Sequence, residues 1–226
     1  EDKKIGVVYT KKEYGKKGLD AIKKRAAKYN IPVVAELVLP TGAVDASSQV
    51  LALKESGANI VITCDVLPPI ISFLKTAEKY NYWPQVFGFN WATDDLLVKA
   101  CGPAAKNYIG AGFVGSWTDD TPGIKLVREI AAKNNRQPKL TSLYIGGIGV
   151  SMLFAEAMKR AGRDLTPETL KKALETFREF DTGGIFPPVT YTDKSHAPAK
   201  KVKLFKADVE KKCLVPLTDW RSPKDL

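Results

Sequence analysis

The amino-acid sequence predicts an α/β fold with a doubly wound parallel sheet. Short apolar runs bounded by turn residues recur through the first half of the chain, as is typical of strands buried on both faces. Segments with helical periodicity separate these runs, and parallel strands need such crossover connections. The alternation stops near residue 116, after which helical patterns follow one another directly. The sequence therefore predicts one full α/β lobe followed by part of another.

Five strands are expected in the first half, each a nearly continuous apolar run: 5–9, 33–39, 59–64, 86–89 and 108–114. Helices are expected between them at 14–29, at 46–56 with Gly57 as its cap, from Pro68-Pro69 onward, and at 94–100. Leu19, Ile22, Ala26 and Tyr29 form the predicted apolar stripe of the first of these helices. Right-handed crossovers then place helices on both faces of the sheet.

Three helices are expected in succession after residue 116, at 122–134, at 142–161 and from Thr166-Pro167 through Phe177. The long middle helix has a predicted apolar face made of Leu143, Val150, Leu153, Phe154 and Ala157. A strand at 189–192 and a hairpin with arms at 202–207 and 213–217 follow. These strands are too few to bury the three helices, so we expect their apolar faces to need another partner.

Charge and composition exclude some classes of function. The 226 residues carry a net charge of +10, but the lysines are scattered, without clustered arginine or a run of aromatic residues. Nucleic-acid binding is therefore not expected. No apolar run approaches the ~18 residues that a membrane-spanning helix needs.

Cysteine and histidine are sparse. The three cysteines, Cys64, Cys101 and Cys213, have no CxxC spacing, and His196 is the only histidine. We therefore expect no metal site and no cofactor. Two alternatives remain for the thiols: a disulfide, for which Cys101 and Cys213 are the better candidates, or three reduced cysteines.

Several local motifs resemble those of the type I periplasmic binding proteins of the branched-chain amino acid (Leu/Ile/Val) class. They include Tyr14-Gly15 at a helix start after the first strand, and Gly57-Ala58-Asn59 entering the third strand. The helix from Tyr144 to Gly162 and the tail that ends at Pro216-Leu217-Thr218-Asp219-Trp220 are also similar. The resemblance extends along essentially the whole chain.

The resemblance implies two α/β lobes with ligand bound between them. Residues 1–115 would be the second lobe, 116–192 the C-terminal part of the first lobe, and 193–226 the return crossover with closing strands on the second lobe. The N-terminal segment of the first lobe is absent from this sequence. Either that segment or a second copy of the chain would then cover the helices at 122–177.

The resemblance also implies a receptor without catalysis. It would lie in the periplasm or outside the cell and deliver an amino acid or related small organic acid to an ABC transporter permease. The alternative is a ligand-sensing regulatory domain of the same fold. An enzyme is disfavoured because the strand-to-helix turns lack phosphate-binding and nucleophile motifs, and His196 has no evident partner base.

Three loops at strand ends are the candidate ligand site, because ligands of open parallel sheets bind beyond the carboxyl ends of the strands. The resemblance implies that Tyr14 packs over the ligand. In the second loop, Val66 and Leu67 are candidates for an apolar wall. Asp65 either contacts the ligand or only caps the next helix.

The third loop contains Asn90 and Trp91. In the amino-acid binders of the family, a carboxylate at the place of Asn90 commonly pairs with the ligand ammonium. A neutral amide cannot neutralise a cation, so an aromatic or aliphatic carboxylate also becomes a candidate ligand. Trp91 is expected either to stack on the ligand or to belong to the core of its lobe.

Overall fold

The computed structural model describes residues 2–134, 141–197 and 200–222. Residues 198, 199 and 223–226, inside the third predicted segment, lie outside this part of the chain. The described residues form the strands β1 (Ile5–Tyr9), β2 (Val33–Val38), β3 (Ile60–Cys64), β4 (Gln85–Gly88), β5 (Tyr108–Gly112), β6 (Lys203–Asp208) and β7 (Cys213–Pro216). They also form the α-helices α1 (Glu13–Lys28), α2 (Ser47–Glu55), α3 (Leu67–Lys79), α4 (Asp95–Cys101), α5 (Pro122–Lys133), α6 (Ser142–Ala161) and α7 (Pro167–Leu174).

One sheet contains all seven strands in the order β2-β1-β3-β4-β5-β6-β7. The pairs β1–β2, β1–β3, β3–β4 and β4–β5 are parallel. The chain therefore winds outward from β1 to β2, returns past β1 to β3, and continues in the opposite direction. This confirms the predicted doubly wound α/β class and creates a change of winding direction between β1 and β3.

The chain forms two compact units. The first contains the described residues up to Ala111 together with Leu204–Val215, and the second contains the described residues between Gly112 and Lys203 and those from Pro216 onward. In the first unit, the parallel strands bury their apolar residues against flanking helices, as Val8 and Val61 of the strands and Phe73 of α3 illustrate. Continuous apolar runs become strands here because both faces of a parallel sheet are covered.

Helix α6 buries a different face from the one that its sequence predicts. Ile145, Gly149, Leu153 and Ala157 are its buried residues. The other side of the helix is exposed, with relative accessibilities of 68% for Leu143, 58% for Val150 and 47% for Phe154. The prediction was therefore correct for Leu153 and Ala157 and wrong for the other three. A glycine lies on the buried face and permits close packing there, because a Cβ at Gly149 would lie only 2.5 Å from the ring of Phe186.

The predicted strand at 189–192 is absent. Val189 instead makes one antiparallel bridge with Phe180, and Thr192 closes a tight turn with Ser195. Prolines 187 and 188 precede this segment and supply no N–H groups for a ladder. Phe177 is fully buried as expected, but it lies beyond the end of α7 at Leu174.

All three cysteines are free thiols. The candidate disulfide between Cys101 and Cys213 is therefore not formed, and the reduced alternative is the correct one. Burial raises the pKa of Cys64 to about 11 and that of Cys101 to about 12. Buried thiols with raised pKa values are poor nucleophiles because the thiolate is the reactive form.

A buried ion pair joins three separate stretches of the second unit. Lys203 Nζ lies 3.0 Å from Asp119 Oδ2, and both side chains are almost fully buried. The Ser116 N–H also donates to Asp119 Oδ2, and Lys203 Nζ lies 4.9 Å from the centre of the Trp220 ring. These stretches adjoin the three positions at which the chain passes between units. The pair therefore fixes the segments of the second unit from which all three connections leave.

We predict that Lys203→Met lowers the free energy of unfolding by about 3–5 kcal/mol, because it leaves Asp119 buried without a counter-charge. Urea unfolding followed by circular dichroism measures this change. Lys17→Met is the matched control, since Lys17 pairs with Glu13 on an exposed helix surface, where such a pair contributes about 0.5 kcal/mol or less. If both substitutions changed the free energy of unfolding by the same small amount, the stabilising role of the Lys203–Asp119 pair would be contradicted.

Candidate functional site

The carboxyl ends of β1 and β3 meet where the winding direction of the sheet changes. Tyr9 and Cys64, the last residues of these strands, are register partners. The connections that follow diverge because β2 lies on one side of β1, whereas β4 lies beyond β3. Such divergence leaves a crevice at the strand ends, which is where open α/β sheets bind ligands.

Gly15 sets the position of Tyr14. Helix α1 begins at Glu13, only three residues after the end of β1. A Cβ at Gly15 would lie 2.3 Å from the carbonyl oxygen of Thr10, so only glycine lets the first turn of α1 approach that closely. The close approach holds Tyr14 at the end of β1, with its side chain half-buried.

Tyr14 and Asp65 form a hydrogen-bonded pair across the end of the sheet. The Tyr14 hydroxyl donates to Asp65 Oδ1 over 3.2 Å, and the Val66 N–H donates to the same oxygen over 2.8 Å. Asp65 is fully buried, with a relative accessibility of 0%. Among the described residues, its other oxygen, Oδ2, is buried and has no hydrogen-bond partner.

Asp65 is not the N-cap residue of the following helix. The N-cap of α3 is Val66, whose own side chain makes no capping hydrogen bond, and Asp65 lies one residue before it and accepts the Val66 N–H. Of the two interpretations of Asp65, the capping one is therefore wrong. A buried carboxylate with one unpaired oxygen is costly to leave uncompensated, so its position calls for an explanation other than helix capping.

Burial also changes the acid–base properties of the pair. Desolvation raises the pKa of Asp65 above its ordinary value of 3.8, against the lowering effects of the hydrogen bonds from Val66 and Tyr14 and of the Lys12 charge. Desolvation first, and then the Asp65 charge and hydrogen bond, raise the pKa of Tyr14. The Tyr14 hydroxyl therefore keeps its proton, which it donates to Asp65.

An aromatic residue that the sequence analysis missed completes the cluster. The rings of Tyr14 and Phe89 are stacked, with centroids 6.1 Å apart and an interplanar angle of 24°. Phe89 was assigned to the fourth strand, but β4 ends at Gly88 and Phe89 begins the next loop. Its position at the end of a strand, directly before Asn90, was the available signal.

The remaining candidates lie on the same two loops. Asn90 and Trp91 lie in a short 3₁₀ helix after β4, where Asn90 is half-buried and Trp91 is 51% exposed. Trp91 is therefore not a core residue of its unit. Val66 and Leu67 are half-buried at the start of α3, and Leu67 packs against the core of the first unit. Hydrogen bonds and ring stacking connect Tyr14 with Asp65, Val66 and Phe89. Asn90 and Trp91 directly follow Phe89 in the chain, and this is what places them near the other candidates.

These loops combine apolar surface with one acidic group. Tyr14, Phe89 and Trp91 offer aromatic surface, Val66 offers aliphatic surface, and Asp65 supplies a buried negative group. Pockets for small ligands typically combine such apolar walls with a few well-placed polar groups.

Comparisons with known proteins agree with this fold. A family model described as periplasmic binding protein matches residues 1–212. A curated protein described as Leu/Ile/Val-binding protein homolog 8, from Brucella abortus (strain 2308), is 25% identical over 182 residues. That match covers 77% of this chain but 44% of the relative, so the chain spans less than half of the curated relatives it matches.

Solved structures extend the likeness to nearly the whole chain. A branched-chain amino acid ABC transporter protein from Thermus thermophilus with bound valine has a TM-score of 0.89 and 22% identity, over 99% of this chain and 61% of that one. A fatty acid ABC transporter substrate-binding protein from Thermomonospora curvata has a TM-score of 0.86 and 25% identity, over 99% and 58% of the two chains. Within the described residues, no helix is long and apolar enough to cross a membrane.

We predict that Asp65→Asn becomes more stable relative to the wild-type chain as the pH rises. Because the folded-state pKa of Asp65 is raised, the favourable contribution of its protonated form is complete below pH 3.8 and is lost as the pH rises through the raised value. Urea unfolding of both proteins at several pH values from about 3 to about 7 measures the difference. A difference that changes in the opposite direction would show that Asp65 is stabilised as the anion.

Proposed function

The chain belongs to the periplasmic binding protein family, and from this premise we propose that it is the larger part of an extracytoplasmic solute receptor. The receptor binds a small organic acid with an apolar side chain, which includes apolar amino acids, and presents it to an ABC transporter permease without catalysis. The observation that carries this proposal is the Tyr14–Asp65–Phe89 cluster at the change of winding direction. It unites aromatic surface with one buried acidic group.

The relatives support both kinds of apolar acid as ligand. One similar structure contains valine, and another is described as a fatty acid substrate-binding protein. Both ligands pair a carboxylate with an aliphatic group, which suits the aliphatic and aromatic side chains at the site. They differ in the amine, which only valine carries.

We further propose that polypeptide outside this sequence completes the first lobe and covers α6. The similar structures are longer than this chain, which spans 61% and 58% of the two described above. The exposed side of α6 presents Leu143, Val150 and Phe154 with Gly147 and Ser151 between them, and the exposed charged residues of this helix, Lys159 and Arg160, lie in its last turn. A contiguous uncharged face of this kind is typical of a contact surface.

Ligand binding by the full gene product tests the proposed function. We expect calorimetry to detect binding of at least one apolar amino acid, aliphatic carboxylate or aromatic carboxylate. Trp91→Ala should weaken that binding about two- to tenfold, because an aromatic contact contributes roughly 0.5–1.5 kcal/mol. Tyr29→Ala is the control. The sequence pattern placed Tyr29 on the apolar stripe of α1, but this aromatic residue is exposed at the C-terminal end of that helix.

A full gene product that binds none of these compounds would contradict the receptor proposal. Equal effects of Trp91→Ala and Tyr29→Ala would contradict the location of the site.

A charged substitution on the exposed apolar side of α6 tests the proposal that further polypeptide covers this helix. Val150→Lys should make the 226-residue chain less prone to self-association, because it removes exposed apolar surface. In the full gene product the same change should lower the melting temperature, since the charge would be buried. Leu51→Lys, at an exposed position of α2, should do neither. Analytical ultracentrifugation and calorimetric melting measure the two effects.

Two results together would instead indicate that a second copy of the chain covers α6. The 226-residue chain would form a stable dimer that Val150→Lys dissociates, and the same substitution would leave the melting temperature of the full gene product unchanged.

A further inference from the structure

We propose that Tyr14 and Asp65 together form the binding site for a protonated amine, so that the ligand is an apolar molecule with an ammonium group and not an amine-free acid. This inference rests on the proposed receptor function and specifies the ligand class of the same site. It begins from the buried, unpaired Oδ2 of Asp65, which neither the helix start nor the core of the unit explains.

The direction of the hydrogen bond determines what Tyr14 offers to a ligand. The hydroxyl donates its only proton to Asp65 Oδ1. A hydroxyl has one donor and two acceptor lone pairs, so the half-buried Tyr14 oxygen presents only acceptor capacity to a bound molecule. It therefore favours an N–H donor over a carboxylate oxygen at this position.

Asp65 supplies the negative charge behind that acceptor. Its Oδ1 already receives two hydrogen bonds, whereas its buried Oδ2 receives none from the described residues. A negative group in this incompletely compensated state attracts a cation and repels a carboxylate, and the effect is larger at a buried site than in water. An ammonium group on Tyr14 Oη would lie next to the carboxylate and offset its unpaired charge.

The aromatic rings favour the same type of ligand. Tyr14 and Phe89 stack with a small interplanar angle, and Trp91 is exposed on the loop after β4. Aromatic faces attract ammonium groups through their negative quadrupole. Asn90, on the same loop, carries no charge, so Asp65 provides the negative charge that this loop lacks.

Matched ligand pairs measured on the full gene product test the inference. Leucine is compared with 4-methylpentanoate, and phenylalanine with 3-phenylpropanoate; each pair shares a carbon skeleton and differs only in the amine. We expect the wild-type protein to bind the amine-bearing member at least tenfold more tightly. Asp65→Asn should weaken binding of that member about 10- to 100-fold, as expected for loss of a charged hydrogen-bonding group. Binding of the amine-free member should change less than threefold.

Two further variants separate binding from folding. Tyr14→Phe keeps the ring and removes the oxygen, so it should reduce the preference for the amine while leaving the melting temperature within a few degrees of wild type. Asp20→Asn removes one exposed negative charge from α1 and should leave the preference unchanged.

The inference is overturned if the wild-type protein binds the amine-free members as tightly as the amine-bearing ones. It is also overturned if Asp65→Asn weakens both series equally, which is the result expected if Asp65 only holds a buried water molecule. In both cases the receptor function stands. Failure of the wild-type protein to bind any compound in either series would remove the receptor function together with this inference.

Discussion

The reversal of winding direction between β1 and β3 is the constraint on which the site depends. Because β1 and β3 are adjacent and parallel, the loops after Tyr9 and Cys64 start side by side and then diverge toward opposite faces. Tyr14 and Asp65 are 51 positions apart in sequence, yet this arrangement brings their side chains within hydrogen-bonding distance. Gly15 makes the contact possible by letting α1 begin close to Thr10.

Regular features of the sequence were sufficient to predict most of the fold. Continuous apolar runs indicated the first five strands within about two residues, because burial on both faces leaves no position for polar residues. The Thr-Pro pairs at 121 and 166 correctly indicated the starts of α5 and α7. The segment after Pro188 was misassigned, because a short run such as Val189 to Thr192 has strand character locally but lacks a neighbouring strand with which to pair.

The candidate site was less predictable for physical reasons. The order of the strands in the sheet decides which loops meet, and a sequence does not state that order directly. The hydrogen bond between Tyr14 and Asp65 could therefore not be predicted, even though both residues were candidates. Helix capping by Asp65 was a reasonable alternative until the helix proved to start one residue later, with Val66 as its N-cap. On α6, apolar residues lie on both the buried and the exposed side, and the small side of Gly149 that packs closely on Phe186 is not distinguished by hydrophobicity.

The buried carboxyl group of Asp65 is the proposed determinant of ligand class, and a crystal structure of the full gene product with leucine bound would test this role most directly. The expected result is a leucine nitrogen about 3 Å from Tyr14 Oη, with the Tyr14–Asp65 hydrogen bond intact. A structure in which the leucine nitrogen contacts other groups, or in which the ligand carboxylate faces Tyr14, would contradict the account.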